Sequence, residues 1–358
     1  MKDGIPPAGK LSREDKIRLL GATDPRTVEM IRRAAHDVLL SRCGKNVYYR
    51  GLIEISNICS RDCLYCGIRR SNSKVKRYEL AIEDIVEKAR WCAAQGYGSL
   101  VLQSGERSDE NFVNLVAEAV RRIKSATTGG KLPRGLGITL CVGEQTRESY
   151  QKFFDAGAHR YLLRIETSNQ ELFSKIHPPG QKLESRLNCL KLLREIGFQV
   201  GTGVMIGLPG QTTEHLADDL EFFVRQDIDM IGMGPFIPNE DTPLWDSPRP
   251  DEKRRILLSL LMIALARLSM PDINIASTTA LRAMDVEGQE KGLLFGANVI
   301  MPVLTPVTVR GDYLLYPGKP FLCEENGLAL LEKKISEAGR TIGFDEWGDS
   351  LHALKRRT

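Results

Sequence analysis

Val47-Tyr48-Tyr49-Arg50-Gly51-Leu52-Ile53-Glu54-Ile55-Ser56-Asn57-Ile58-Cys59-Ser60-Arg61-Asp62-Cys63-Leu64-Tyr65-Cys66-Gly67 opens as a strand and ends in three cysteines. The run Val47–Ile55 is rich in β-branched and aromatic residues, which predicts an extended segment. Cys59, Cys63 and Cys66 follow it with the spacing C-x3-C-x2-C, and Tyr65 stands immediately before the last of them. Three closely spaced thiolates suit a cubane iron–sulfur cluster, in which each bound iron takes one cysteine sulfur. A 4Fe–4S cluster needs four ligands, so three cysteines leave one iron open. Open metal positions usually serve chemistry rather than structure. A structural zinc site would want a fourth Cys or His close by, and the nearest histidines in sequence are His36 and His159.

Outward from this stretch, strands alternate with helices. Extended segments are expected at Ser99–Gln103, Gly137–Val142, Arg160–Arg164, Gln199–Met205, Met230–Met233, Ile273–Ala276 and Asn298–Met301. Amphipathic helical segments lie between most of them: Ile82, Ile85, Val86 and Ala89 share one face, and Leu216, Leu220, Phe223 and Val224 another. Gly96, Gly135, Gly157 and Gly197 are placed to close helices. Before the first strand, Ser12-Arg13-Glu14-Asp15 resembles a capping box and Asp24-Pro25 marks a helix start. The alternation predicts an α/β fold, a (β/α)8 TIM-type barrel, with a doubly wound sheet as the alternative; no G-x-G-x-x-G follows the first strand. The expected organisation is an N-terminal helical extension over 1–45, the barrel over 46–320 and a C-terminal helical segment over 321–358, packed on the barrel.

With 358 residues, 42% of them hydrophobic, the chain can bury a large core. Its net charge of +4 is modest, its basic clusters are short, and aromatics are 6%, so nucleic acid is not expected as a partner. Only eight cysteines and no apolar leader in Met1-Lys2-Asp3-Gly4-Ile5-Pro6 point to a reducing cytoplasm rather than a disulfide framework. No apolar run is long enough to span a membrane.

In a parallel barrel, chemistry collects where strands end. Gln103-Ser104-Gly105-Glu106 follows the second strand: Gly105 allows close backbone approach and Glu106 accepts from an ammonium group, or the four form a plain turn. Thr139 lies on the third strand, which runs into Gly143-Glu144. Arg164 and Glu166 alternate to one face at the end of the fourth strand, where they bind a ligand or pair with each other. Gly207-Leu208-Pro209-Gly210-Gln211-Thr212 builds a tight turn that is a candidate ligand loop. Met230 reads as packing. Thr278 and Thr279 suit an anion or a helix cap, and Tyr313 and Tyr316 cover the barrel mouth or pack.

These residues resemble the radical S-adenosylmethionine enzymes, whose signature is C-x3-C-x2-C with an aromatic before the last cysteine. Within them, the chain resembles the HydE group of FeFe-hydrogenase maturases from about Val47 to Lys319. Ser56-Asn57-Ile58-Cys59, Leu102-Gln103-Ser104-Gly105-Glu106, Tyr161-Leu162-Leu163-Arg164, Arg186-Leu187-Asn188-Cys189-Leu190 and Gly234-Pro235-Phe236-Ile237-Pro238 carry that likeness. The resemblance implies one 4Fe–4S cluster on Cys59, Cys63 and Cys66, with S-adenosylmethionine on the fourth iron and reductive cleavage to a 5′-deoxyadenosyl radical. It assigns Glu166 to the methionine ammonium, Arg186 to its carboxylate, Gly105 and Glu106 to the ammonium-binding turn, and Tyr65, Met230 and Tyr313 to the cofactor site. Arg164 and Tyr316 are implied as catalytic. Arg50, Gln103, Ser104, Thr139, Thr278 and Thr279 are implied as lining for a small anionic substrate, a cysteine-bound iron carbonyl–cyanide complex. A reductant such as flavodoxin or ferredoxin and other hydrogenase maturases are the implied partners.

The family commonly has His before the Glu where this chain has Ile165, a change that bears on the substrate more than on the radical chemistry. Some members carry three C-terminal cysteines for a second cluster; with only Cys323 in that region, no second cluster is expected. Cys43, Cys92, Cys141 and Cys189 read as ordinary structural cysteines. The alternatives within the same barrel type are a methylornithine synthase-like mutase and a biotin-synthase-like sulfur-inserting enzyme. A mutase would want acidic groups deep in the barrel, where the sequence offers arginines and threonines. A different class, an electron-transfer or scaffold protein carrying the cluster, would have no need of an open iron.

Overall fold

Eight parallel strands close on themselves in the computed structural model, which describes residues 4–318 and 325–357. In chain order the strands are β1 (Asn46–Ser56), β2 (Ser99–Ser104), β3 (Gly137–Cys141), β4 (Arg160–Leu162), β5 (Gln199–Thr202), β6 (Met205–Ile206), β7 (Met230–Ile231), β8 (Gly234–Pro235), β9 (Asn274–Ser277), β10 (Val299–Ile300) and β11 (Thr341–Ile342). The ring runs β1-β2-β3-β4-β5-β7-β9-β10 and returns to β1 through Tyr48 opposite Val299 and Tyr49 opposite Ile300. It is the (β/α)8 barrel that the alternation predicts. Strands β6 and β8 pair separately, Met205 with Gly234 and Ile206 with Pro235.

The predicted strand Gln199–Met205 is thus broken in two, for a physical reason. Arg164 donates to the Val204 carbonyl at 3.0 Å and to the Gly232 carbonyl at 2.7 Å. Those carbonyls, on the two segments that would otherwise continue the ladder, are taken by a side chain. At the same level the Gly203 and Gly232 backbones are in contact, because a Cβ on Gly203 would fall on the Gly232 carbonyl.

Two apolar layers hold the barrel. Outward-facing Tyr49, Ile53 and Ile55 of β1 join Leu100, Leu102, Ile138 and Leu140 in the core shared with the surrounding helices. Inward-facing Leu52, Val101 and Val303 form a smaller cluster with Cys141 and Met301 inside the barrel. The split follows from the period of two along each strand. Before β1, Ser12 caps helix Arg13–Leu20 through a capping box with Asp15, and Asp24 caps helix Pro25–Cys43 from Thr27 N at 2.8 Å. The latter helix packs on helix Glu252–Ser269.

After the barrel, β11 pairs with the start of β1, Asn46 opposite Thr341. The segment Trp347–Ser350 then crosses the N-terminal end of the barrel. Arg50 and Asn274 donate to the Gly348 carbonyl at 3.0 and 2.8 Å, Ser99 and Arg160 to that of Trp347 at 2.7 and 2.8 Å, and Ser350 N to Gln199 at 3.1 Å. Cys323 lies outside the described residues.

Candidate active site

The three cysteines stand in a loop at the C-terminal end of β1, held from several sides. Arg77 reaches under it and donates to the carbonyls of Asn57 (2.7 Å), Ile68 (2.8 Å), Arg69 (2.6 Å), Arg70 (3.4 Å) and Asn72 (3.3 Å). Asp62 accepts a fork from Arg69 at 2.8 and 2.9 Å and two bonds from Ser71, and Arg69 holds its carboxyl well below the usual carboxylate range. Leu64 N donates to Ile176 O at 3.0 Å and Gly67 N to Leu315 O at 3.0 Å, which tie the loop to two others around the mouth. Gly105 lies flat against it: a Cβ there would strike the Ile58 carbonyl and come within 2.9 Å of the Cys59 Cβ.

None of the three thiols is in a disulfide among the described residues, and burial pushes each of them up, Cys63 to about 12. Backbone N–H groups of Arg61 and Glu106 point at Cys59 Sγ, both at 3.4 Å, and the Ile68 N–H serves Cys66. Among the described residues no group of three or more His, Cys, Asp or Glu side chains could hold one metal ion. A cubane asks for something else, one thiolate per iron. Thiols that burial keeps protonated are deprotonated by the metal they bind. Three such thiols on one loop, with N–H donors already aimed at sulfur, fit that group.

Beneath the loop a cavity of about 280 Å³ opens inside the barrel mouth. Its wall includes Cys59, Cys63 and Cys66, together with Tyr65, Gln103, Ser104, Gly105, Glu106, Arg164, Glu166, Arg186, Thr278, Thr279, Tyr313 and Tyr316. The structure therefore brings most of the sequence-selected residues to one chamber. Arg50, Thr139 and Met230 lie lower, around a second space of about 20 Å³, room for a water-sized group. There Arg50 donates to the Met230 sulfur at 3.1 Å, and Thr139 accepts from Arg160 at 3.0 Å. Met230 is thus placed with Arg50, while Tyr65 packs against the cluster of Leu172, Ile176, Leu208 and Phe236.

Arg164 and Glu166 pair directly, and the carboxylate accepts at 2.9, 3.0 and 3.2 Å. Burial alone would lower the guanidinium; Glu166 more than reverses that and holds it raised. Glu166 has φ 63°, a left-handed backbone rare outside glycine, so the turn that aims its carboxylate is strained. Arg186 and Arg61 lie between two further carboxylates. Arg186 meets Glu106 at 3.1 Å and Glu144 at 3.0 Å, while Arg61 bonds Glu106 and stands 3.7 Å from Glu144. Two cations and two anions leave this wall neutral overall, with both signs within reach of the chamber.

Ser104 donates to its neighbour's carbonyl at 2.6 Å, Gln103 to the Tyr313 hydroxyl at 3.2 Å, and Thr279 shares a hydrogen bond with Tyr316 at 3.0 Å. The Thr278 hydroxyl is buried without a hydrogen-bond partner among the described residues. The turn Gly207–Thr212 is absent from the wall, because Gln211 folds back to Gly207 N at 2.6 Å and Met205 O at 2.9 Å. Its glycine instead lets Arg255 pass close by. Ile165, the departure from the family pattern, is fully buried on the helix side and touches no part of the chamber.

The sequence reading missed several wall residues. Cys141, taken as an ordinary strand cysteine, faces the chamber and is pushed by burial up to about 11. Glu54, also in the wall, is an acid deep in the barrel that the comparison with mutases overlooked; Thr305 donates to it at 3.0 Å. The alternation Arg50, Leu52, Glu54 carried that signal, since all three share the inner face of β1. His177 lies beside Tyr65, with ring centroids 5.5 Å apart and its Nε2 3.4 Å from the phenol oxygen. Its Nδ1 faces the Phe173 carbonyl at 2.9 Å, and burial pulls it down to about 4, so it is neutral near pH 7.

A closed parallel barrel with a three-cysteine loop over its mouth defines a radical S-adenosylmethionine enzyme, a class that uses a 4Fe–4S cluster and S-adenosylmethionine. The radical SAM superfamily model matches residues 53–223. The FeFe-hydrogenase maturase subunit HydE of Thermotoga maritima is 42% identical over 342 residues, 95% of this chain and 94% of that protein. A 3-methylornithine synthase of Methanosarcina acetivorans is 27% identical over 82% of this chain and 80% of its own. Among solved structures, methylornithine synthase (PylB) superposes with a TM-score of 0.80 at 22% identity, over 94% of this chain and 95% of that one, a likeness of fold. The chain belongs to the radical SAM superfamily and, within it, to the HydE family.

Proposed function

We propose that the protein is a maturase of FeFe-hydrogenase that acts on a small anionic substrate, a cysteine-bound iron carbonyl–cyanide complex, in the chamber beneath the cysteine loop. The observation that carries this reading is the 42% identity to HydE along 95% of the chain. Cys59, Cys63 and Cys66 would hold the cluster. Bound together, the cluster and S-adenosylmethionine supply one-electron reductive cleavage of a sulfonium to a 5′-deoxyadenosyl radical.

This chain's residues do the rest. Glu166 would take the cofactor's ammonium and Arg186 its carboxylate, with Gly105 and Glu106 forming the turn around the ammonium. The wall of Arg61, Arg186, Glu106 and Glu144 supports that seating, because the methionine end of the cofactor carries an ammonium and a carboxylate and so needs both signs. Tyr65 and Tyr313 would pack against the cofactor; Met230, which the family likeness also assigns to it, lies with Arg50 at the lower space. The substrate would sit deeper, among Gln103, Ser104, Arg164, Thr278, Thr279 and Tyr316, with Arg50 and Thr139 beneath it. The unpartnered Thr278 hydroxyl is a donor available to an anion. Arg164, whose charge the Glu166 carboxylate sustains, would orient the complex toward the radical; Tyr316 would close over it and exclude water.

An acidic one-electron carrier such as flavodoxin or ferredoxin would reduce the cluster, other maturases would take the product, and the cytoplasm is the proposed location. Among the described residues no helix is long and apolar enough to cross a membrane. Deletion of the gene in a host with FeFe-hydrogenase tests the reading. Hydrogenase activity should be lost and restored by this gene; an active hydrogenase in the deletion strain would sink it.

A further inference from the structure

Cys59 and Cys66 receive N–H groups from the backbone rather than from side chains. Cys63 differs. Its sulfur lies against two side chains, the Tyr65 hydroxyl and the Gln181 amide. The thiol donates to Gln181 Oε1 at 3.8 Å, while Gln181 Nε2 is buried with no hydrogen-bond partner among the described residues. A buried amide nitrogen without an acceptor needs an explanation, and the acceptor character of a metal-bound cysteine sulfur 3.8 Å from the same amide supplies one. As a thiol, Cys63 donates and the amide oxygen faces it. As a metal-bound thiolate it has no proton to give, and an oxygen lone pair against it is repulsive. Turning the amide end for end removes the repulsion and brings the orphaned N–H to the sulfur in the same movement.

We infer that Gln181 is a positioning residue for the cluster, a side-chain N–H donor to the Cys63 sulfur that sets the cluster's reduction potential. The inference rests on the cysteine ligands proposed above. Reduction adds one negative charge to the cluster, and an N–H donor stabilises the more negative state. Gln181 therefore raises the potential, which makes the cluster easier for the carrier to charge. It does so from the loop His177–Lys182, outside the cysteine motif.

The test is an EPR-monitored redox titration of the anaerobically reconstituted protein, with iron and sulfide counted per chain. Wild-type iron and sulfide content reads whether the cysteines hold a cluster at all, so failure of that assignment is seen separately. Gln181→Leu, with no donor, should load the cluster and shift its midpoint to more negative potential; Gln181→Glu, which adds an anion, should shift it further. Unchanged or more positive midpoints in both would overturn the inference. If neither variant holds a cluster, wild-type protein made in a cell-free system with side-chain 15N-glutamine decides. A 15N hyperfine coupling to the reduced cluster supports the donor, and its absence overturns it.

Discussion

Arg164 and Glu166, two residues apart on the chain, close a forked ion pair at the barrel mouth, with the carboxylate 2.9 Å from the nearest guanidinium nitrogen. The same guanidinium also holds the Gly232 and Val204 carbonyls, so the pair joins the strands around the ring as well as lining the chamber.

Glu166→Gln keeps the volume and removes the charge, leaving Arg164 partly buried without its carboxylate. We expect a stability loss of about 3 kcal/mol or less, since Arg164 retains its carbonyl partners. S-adenosylmethionine affinity should fall by about tenfold or more, the scale of one lost charge-assisted hydrogen bond. Chemical denaturation and equilibrium dialysis measure the two effects separately; unaltered affinity would remove Glu166 from the cofactor site.

Cys63→Ala should abolish both the cluster and the release of 5′-deoxyadenosine, and retention of either would refute its role as a ligand. Gly105→Ala should give a similar phenotype without touching a ligand. The new methyl would press on the Ile58 carbonyl and the Cys59 side chain. Iron content per chain should fall well below wild type while circular dichroism stays the same.

Arg77→Met removes the guanidinium that gathers five carbonyls beneath the cysteine loop. Replacing these contacts by water in a partly buried site should cost on the order of 3 kcal/mol. The urea midpoint should drop, and limited proteolysis should cut within residues 58–76 first. Cleavage elsewhere would mean the loop is held by other contacts.

Asp219 is fully buried, and burial raises its carboxyl to about 7 even though Ser168 donates to it twice. The folded pKa lies above the unfolded one, so between about pH 4 and 7 the folded protein binds the extra proton. Stability therefore falls as pH rises through that window. Asp219→Asn should remove the fall, with a gain at pH 8 relative to pH 5 that denaturation at the two values would measure. An equal effect at both would show that Asp219 does not titrate there.

Much of this was legible because it is written in local patterns. Strand β1 and its cysteine loop are contiguous in sequence, and the alternation of apolar runs with amphipathic helices forces a parallel ring. What escaped depends on contacts between distant segments. Thr341–Ile342 is too short to show a period, yet it pairs with the start of β1. Glu144 reads as one acid in a turn until Arg186 arrives from helix Leu183–Ile196 and Arg61 from the cysteine loop. Along the chain His177 is remote from the cysteines, whereas the loop after helix Gln170–Ile176 folds it onto Tyr65. Ile165 shows the reverse case: a departure within a motif that, once folded, faces away from the chemistry.

The segment Trp347–Ser350 is bonded across the lower end of the barrel, which leaves the opening beside the cysteine loop as the neck through which we propose that guests pass. With S-adenosylmethionine seated in that neck as proposed, the deeper guest has to be loaded first and leaves last. Each turnover is then a stack emptied from the top, and the pace of product delivery is tied to how fast the spent cofactor clears the opening.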